Sequence, residues 1–127
     1  MKRNEERLHM AICRYLMYQY PNIYFMSDAS GIRLPMGLAV KFKKMHSVQA
    51  QLDLVILEGN SNYHGLILEI KKDRSEVYKK DGGFRKSEHI IEQNNSLKLL
   101  REKGYLTLYI FSLDEAKEII DNYMDIL

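Results

Sequence analysis

A chain of 127 residues, 46% of them hydrophobic, has enough apolar side chain for one real core, and its length argues for one domain rather than two. Its single cysteine, Cys13, excludes an internal disulfide and any thiol cluster of zinc-site spacing, so a reducing cytoplasm is the natural setting. Net charge is only +2, and the least charged span, YLMYQYPNIYFMS, is broken by Gln19, Pro21 and Asn22, so neither a signal peptide nor a membrane span is expected.

From Glu5 to Tyr18, apolar residues at Leu8, Ala11, Ile12, Tyr15 and Leu16 recur at helical spacing until Pro21 stops the pattern. IYFMS, residues 23 to 27, favours a strand. DASGIRLPMGLAVKFKK carries Gly31, Pro35 and Gly37 and reads as an irregular loop before a short strand. LDLVIL and LILEIK read as strands, and EGNSNYHG between them has the length and turn content that close a hairpin.

The next segment, KDRSEVYKKDGGFRKSEH, is poor in apolar residues and reads as a mobile loop. Residues 71 to 86 hold seven basic side chains against three acidic ones, a local +4 that could follow a phosphate backbone and that a solvated loop would also show. From Ser87 to Lys103, Ile90, Leu97 and Leu100 share a helical face, with Gly104 placed as the C-terminal stop. YLTLYIF is a further strand. SLDE then has the spacing of a capping box, ahead of a helix whose inward stripe is Ala116, Ile119, Ile120, Tyr123 and Leu127. This order, helix, strands, helix, strand, helix, fits an α/β fold with a mixed sheet flanked by helices.

Alternation along the hairpin gathers Leu52, Leu54, Ile56, Leu66, Leu68 and Ile70 on one face and leaves Asp53, Glu69 and Lys71 together at one end of the other. A hairpin centred on Ser61 pairs Asp53 with Glu69, whereas one centred on Asn62 pairs Asp53 with Lys71. Opposed residues have Cβ atoms about 4.5 to 5.5 Å apart, close enough for two side chains to share one ion or one phosphate. Two carboxylates side by side on a half-buried face repel unless a proton or a cation intervenes, and hard oxygen ligands suit Mg²⁺ or Mn²⁺. A lysine two residues on could orient an attacking water or stabilise charge building on phosphorus. An ion pair at a solvated strand end would use the same three residues. Gln93 falls on the apolar face of its helix, where an uncharged polar group is costly to bury without a partner.

LDLVIL followed by LILEIK resembles the PD-(D/E)XK nuclease signature, with Asp53, Glu69, Ile70 and Lys71 in the D and E-x-K places. YKKDGGFRKSEHIIEQNNSLKLLREKGY is similar to the segment after the active site in the VRR-NUC branch of that superfamily, and EERLHMAICRYLMYQYP is similar to its first helix. The resemblance implies a restriction-endonuclease-like fold and a DNA endonuclease that hydrolyses phosphodiester bonds with Mg²⁺ or Mn²⁺. It puts Asp53, Glu69 and the Ile70 carbonyl on the metal, with a first-helix glutamate, Glu5 or the adjacent Glu6. Lys71 then acts on the attacking water and Gln93 supports the site. Phosphate contacts are expected from Lys41, Lys43 and Lys44 and from Lys72, Arg74, Lys79, Lys80, Arg85 and Lys86 of the basic segment. Such contacts position DNA without reading its sequence, so structure rather than a defined site is the expected target.

Small stand-alone members of this branch are typically phage-encoded, which implies the host bacterial cytoplasm. Some act as dimers on branched DNA such as Holliday junctions. The sequence departs from the pattern at Leu52, where a proline is expected, and at Ala50, where a glycine is usual, which touches the bend entering the strand. His9, His46, His64 and His89 have no ligand spacing and read as surface or boundary residues. A non-catalytic DNA-binding or assembly module remains the alternative from a different class, and RNA stays open as a substrate because nothing here discriminates the 2′-hydroxyl.

Overall fold

The computed structural model describes residues 3–28, 36–43, 45 and 52–126, apart from the side chains of Arg3, Ala39, Val40, Phe42 and Lys43. Four helices, α1 (Arg3–Gln19), α2 (Met36–Lys43), α3 (Glu88–Glu102) and α4 (Leu113–Asp125), accompany four strands. These are β1 (Phe25–Ser27), β2 (Leu54–Ile56), β3 (Leu66–Ile70) and β4 (Leu106–Ile110), in the spatial order β1-β2-β3-β4. The first three strands run antiparallel and β4 joins β3 in parallel, with α3 making the crossover.

Alternation along the hairpin decides what each sheet face meets. Leu54, Ile56, Leu66, Leu68 and Ile70 point to one side, where they form a core with Ile12 and Leu16 of α1 and Ala116, Ile120 and Tyr123 of α4. Tyr15 and Tyr20 both donate to Asp121 Oδ1, at 2.5 and 2.6 Å, and so tie α1 to α4 through one carboxylate. The other side of the sheet is covered by α3, where Arg101 Nε donates to Thr107 Oγ1 and Tyr109 donates to Asn94 Oδ1, both at 2.6 Å. Strand β3 is consequently buried along its whole length. Any polar group it carries must find its partner inside the protein.

The helix ends follow their sequence signals. Ser87 Oγ accepts from Ile90 N–H at the start of α3, and Ser112 Oγ accepts from Glu115 N–H at 3.1 Å at the start of α4. The Glu115 carboxylate returns to Phe111 N–H, one residue before the position a capping box would use. Leu127, the last residue of the expected α4 stripe, lies outside the described residues.

Two expectations are corrected. Residues 36 to 43, read as loop leading to a strand, form helix α2: methionine, leucine, alanine and lysine after a proline make a helix start that Gly37 inside it and Gly31 before it obscured. The segment read as a mobile loop is built structure. Asp73 caps a 3₁₀ turn at Arg74–Glu76 with a full capping box, and Tyr78 bridges Phe84 in a small hairpin rooted on the buried Val77. The paired strands are also shorter than their apolar runs, because ladder pairing ends at Leu54 although Leu52 and Asp53 continue the pattern. Among the described residues no helix is long and apolar enough to cross a membrane.

Gly104, which ends α3, has φ of +98°, and a Cβ built there would come within 2.4 Å of the His64 ring. Replacing Gly104 with alanine adds backbone strain to that contact, so stability falls by about 1 to 3 kcal/mol. Urea unfolding of Gly104→Ala measures the loss, and a variant as stable as the parent would overturn this account of the α3–β4 turn.

Candidate active site

The observed ladder pairs Leu54 with Leu68 and Ile56 with Leu66, the register of a hairpin centred on Ser61. One step further along, Asp53 faces Glu69. In place of a ladder pair, each carboxylate takes a backbone N–H of the opposite strand. Asp53 N–H donates to Glu69 Oε1 at 3.1 Å, and Ile70 N–H donates to Asp53 Oδ2 at 2.8 Å. Asp28, just past β1, donates its N–H to the Asp53 carbonyl at 3.0 Å, so the bend at Asp53 is held from both sides.

Glu69 is 1% exposed. Its second oxygen, Oε2, accepts from Gln93 Nε2 at 3.0 Å, which places α3 over the carboxylate as the polar residue on its apolar face foreshadowed. Gln93 Oε1 is buried and has no hydrogen-bond partner among the described residues. A buried acceptor left without a donor costs free energy, and this one sits beside a carboxylate pair. Burial, and after it the neighbouring Asp53, push the Glu69 carboxyl up to about 9. In this arrangement a cation that satisfied both carboxylates would do the work otherwise left to a proton.

Lys71 is 8% exposed, and its Nζ lies 3.3 Å from His89 Nε2 at the start of α3. His89 precedes Gln93 by one helical turn, and that i, i+4 spacing was the available sign that it, too, faces the site. Glu5 comes to the same end of the sheet from α1. Its carboxyl is raised by burial first, then by the nearby Glu76, against the opposing pull of Lys71. Glu6 is exposed and lines a groove of about 470 Å³ with His9, Cys13, Ser27 and Asp28.

His9 corrects its reading as a surface or boundary residue. It is buried at 7% exposure with Nε2 3.1 Å from Ser27 Oγ, and burial lowers its pKa against the opposing influence of Asp53 and Asp28. His64 and His89 are exposed, and His46 lies outside the described residues.

Among the described residues no three His, Cys, Asp or Glu side chains converge as a metal-binding group. The groups that could hold an ion at the strand end are the Asp53 and Glu69 carboxylates with the Ile70 carbonyl, and a magnesium-like ion that keeps several waters would need few more. The free Gln93 Oε1 fits such a group, because it could accept from a water in the ion's shell.

The basic residues divide. Lys72, Lys80 and Lys86 are exposed, as is Lys41 on α2. Lys79 Nζ lies 4.0 Å from Asp81, Arg85 Nε donates to the Ser75 carbonyl, and the Arg74 guanidinium lies over the Tyr78 and Phe111 rings. The Lys43 side chain and all of Lys44, like Ala50, lie outside what is described.

No protein-family model matches the chain, and no curated protein matches it. Among solved structures it is similar to a VRR_NUC domain protein, with a TM-score of 0.69 and 22% sequence identity over 99% of this chain and 92% of that one. The chain thus has the restriction-endonuclease-like fold of that protein, a four-stranded mixed sheet flanked by helices, as the order of its elements implies.

The raised Glu69 pKa makes stability depend on pH with a definite sign. The folded protein holds a proton up to about 9 that the unfolded chain releases near 4.5, so this stabilisation is complete below 4.5 and is withdrawn as pH rises toward 9. Metal-free protein should melt at progressively lower temperature from pH 5 to pH 9, and Glu69→Gln should flatten that decline. Equal slopes in parent and variant would show that Glu69 is not the group responsible.

Proposed function

We propose that this protein is a VRR-NUC-type nuclease that hydrolyses phosphodiester bonds in DNA with Mg²⁺ or Mn²⁺. The observation that carries this reading is the Asp53–Glu69 pair on neighbouring strands, with the buried, half-satisfied Gln93 above it and Lys71 beside it. The fold shared with a VRR_NUC domain protein supports it.

Asp53, Glu69 and the Ile70 carbonyl would hold the ion, with Glu5 at the rim. Bound there, a divalent cation supplies a more acidic water and a counter-charge for phosphate oxygens. Lys71 is held at the same strand end, where its ammonium stabilises negative charge growing on the phosphate and orients the attacking water. His89 Nε2 receives one Lys71 N–H and so limits where the ammonium points. Gln93 fixes the Glu69 carboxylate through Nε2 and offers Oε1 to a water in the site.

DNA would run across the end of the sheet, guided by the exposed Lys72, Lys80 and Lys86 and by Lys41, Lys43 and Lys44 near α2. Contacts of this kind follow the backbone, so branched or flapped DNA is the proposed substrate class, and two copies acting on one junction would account for paired cuts.

Purified protein incubated with linear, flapped and four-way DNA should cut in Mg²⁺ or Mn²⁺ and not in EDTA. Asp53→Ala, Glu69→Ala and Lys71→Ala should each abolish cutting, and Gln93→Ala should lower the rate roughly 10- to 100-fold, the usual cost of losing a partner that orients a metal ligand. Tight DNA binding with no cutting in any metal would replace the enzyme with a binding module, and equal cutting by parent and variants would identify a contaminant.

A further inference from the structure

Between the site lysine and α3 the chain builds an aromatic column that the chemistry above does not use. Phe111, at the end of β4, lies 4.9 Å from the Arg74 guanidinium carbon, which is 5.1 Å from the centre of the Tyr78 ring. Tyr78 in turn stacks on Phe84, with ring centres 5.2 Å apart and planes 25° from parallel. The backbone holds this pair firmly. Tyr78 and Phe84 bridge one another, Lys79 N–H donates to the Gly83 carbonyl at 2.7 Å, and Arg85 N–H donates to the Val77 carbonyl at 2.7 Å. Gly82 turns the tip with φ of +89°.

The column begins beside the carboxylates and ends in solvent. Tyr109 feels both Glu69 and Tyr78, which raise its pKa after the larger effect of burial, so the root of the hairpin adjoins the site. At the far end Phe84 is 47% exposed, with Tyr78 against one face of its ring. Lys80, four residues before it on the other arm of the hairpin, and Lys86, two residues after it, are both exposed. A lone exposed phenylalanine is ordinary. One fixed at the outer end of a stack, in a hairpin that carries exposed lysines on both arms, has the two properties that single-stranded nucleic acid requires, a flat apolar platform and a positive track for its backbone.

We infer that Phe84 is a stacking platform for an unpaired nucleobase, and that the hairpin from Val77 to Arg85 is the element by which the protein distinguishes branched or flapped DNA from continuous duplex. A base displaced at a branch point has an open π-face, whereas bases inside a duplex are already stacked on their neighbours. The flanking cations bind both kinds of DNA, and the ring adds affinity only where a base is free. This inference rests on the proposed action on DNA and names the feature of the DNA that is recognised.

The test measures binding in Ca²⁺ to a flap carrying 2-aminopurine at its first unpaired position and to a duplex of the same length. Parent, Phe84→Leu and Phe84→Trp are compared over a range of salt. Phe84→Leu should weaken flap binding about 5- to 150-fold, as expected for one lost base stack, and should leave duplex binding unchanged. It should also lose the quenching of 2-aminopurine, and Phe84→Trp should restore both. The slope of log Kd against log salt should be the same for parent and Phe84→Leu, because the phosphate contacts remain. If Phe84 served only to hold the hairpin together, the leucine variant would lower that slope and weaken both DNAs alike. That result, or unchanged flap binding and quenching, overturns the inference. Cutting by the same proteins in Mg²⁺ is scored separately, so a parent that cuts in metal but neither prefers the flap nor quenches 2-aminopurine rejects the platform alone. Base discrimination without cutting rejects the nuclease reading alone.

Discussion

The structure depends on one exchange between two acids. Where the β2–β3 ladder ends, Asp53 gives its N–H to the Glu69 side chain and takes the Ile70 N–H on its own. Each carboxylate thereby satisfies a backbone donor of the opposite strand, which lets a strand end with two acidic side chains remain attached to a sheet. The exchange has a consequence for chemistry. It draws two carboxyl groups together at a place where β3 is buried on both faces, so water cannot relieve the repulsion that ionising both would create, and Glu69 holds its proton. The surrounding groups are those that such a pair needs: an amide from α3, an ammonium two residues along β3, and the N-terminal turns of α1 and α3 converging on the same edge.

Order in the segment after β3 follows from the same edge. Glu76 accepts from Lys72 and Asp73 N–H, so the 3₁₀ turn is fastened to the end of the strand. Arg74 then spends its charge on two aromatic faces. A segment whose composition suggests solvation is instead a set of short-range caps and stacks that adds up to an ordered hairpin. Charge count alone overstates its capacity for phosphates, since Arg74, Lys79 and Arg85 already have partners inside the protein.

Much of the site was legible because strand alternation is a rule of two. Given LDLVIL and LILEIK, the acids and the lysine had to share a face, and only the hairpin centre was open between Ser61 and Asn62. The structure chose Ser61, which opposes Asp53 to Glu69 and leaves Lys71 to meet His89. Gln93 was legible for a similar reason, as a polar residue on the apolar stripe of a helix. His9 was not, because nothing in its neighbourhood along the chain shows that α1 crosses β1 at Ser27, and His89 carried only its one-turn spacing from Gln93. Helix α2 was hidden by glycines that, in sequence, weigh against a helix and that the fold tolerates.

What the sequence by itself determined is everything governed by local period and local punctuation: three of the four helices, the four strands, the Ser112 cap, and the side of the hairpin on which the charges lie. Only the tertiary structure decided the register, the burial of Glu69, the partner of each basic residue and the stacked hairpin after Lys71. The reason is physical. Periodicity is set by the backbone within a turn or a strand, whereas burial, pKa and pairing depend on which element arrives from far along the chain, and that is settled by packing.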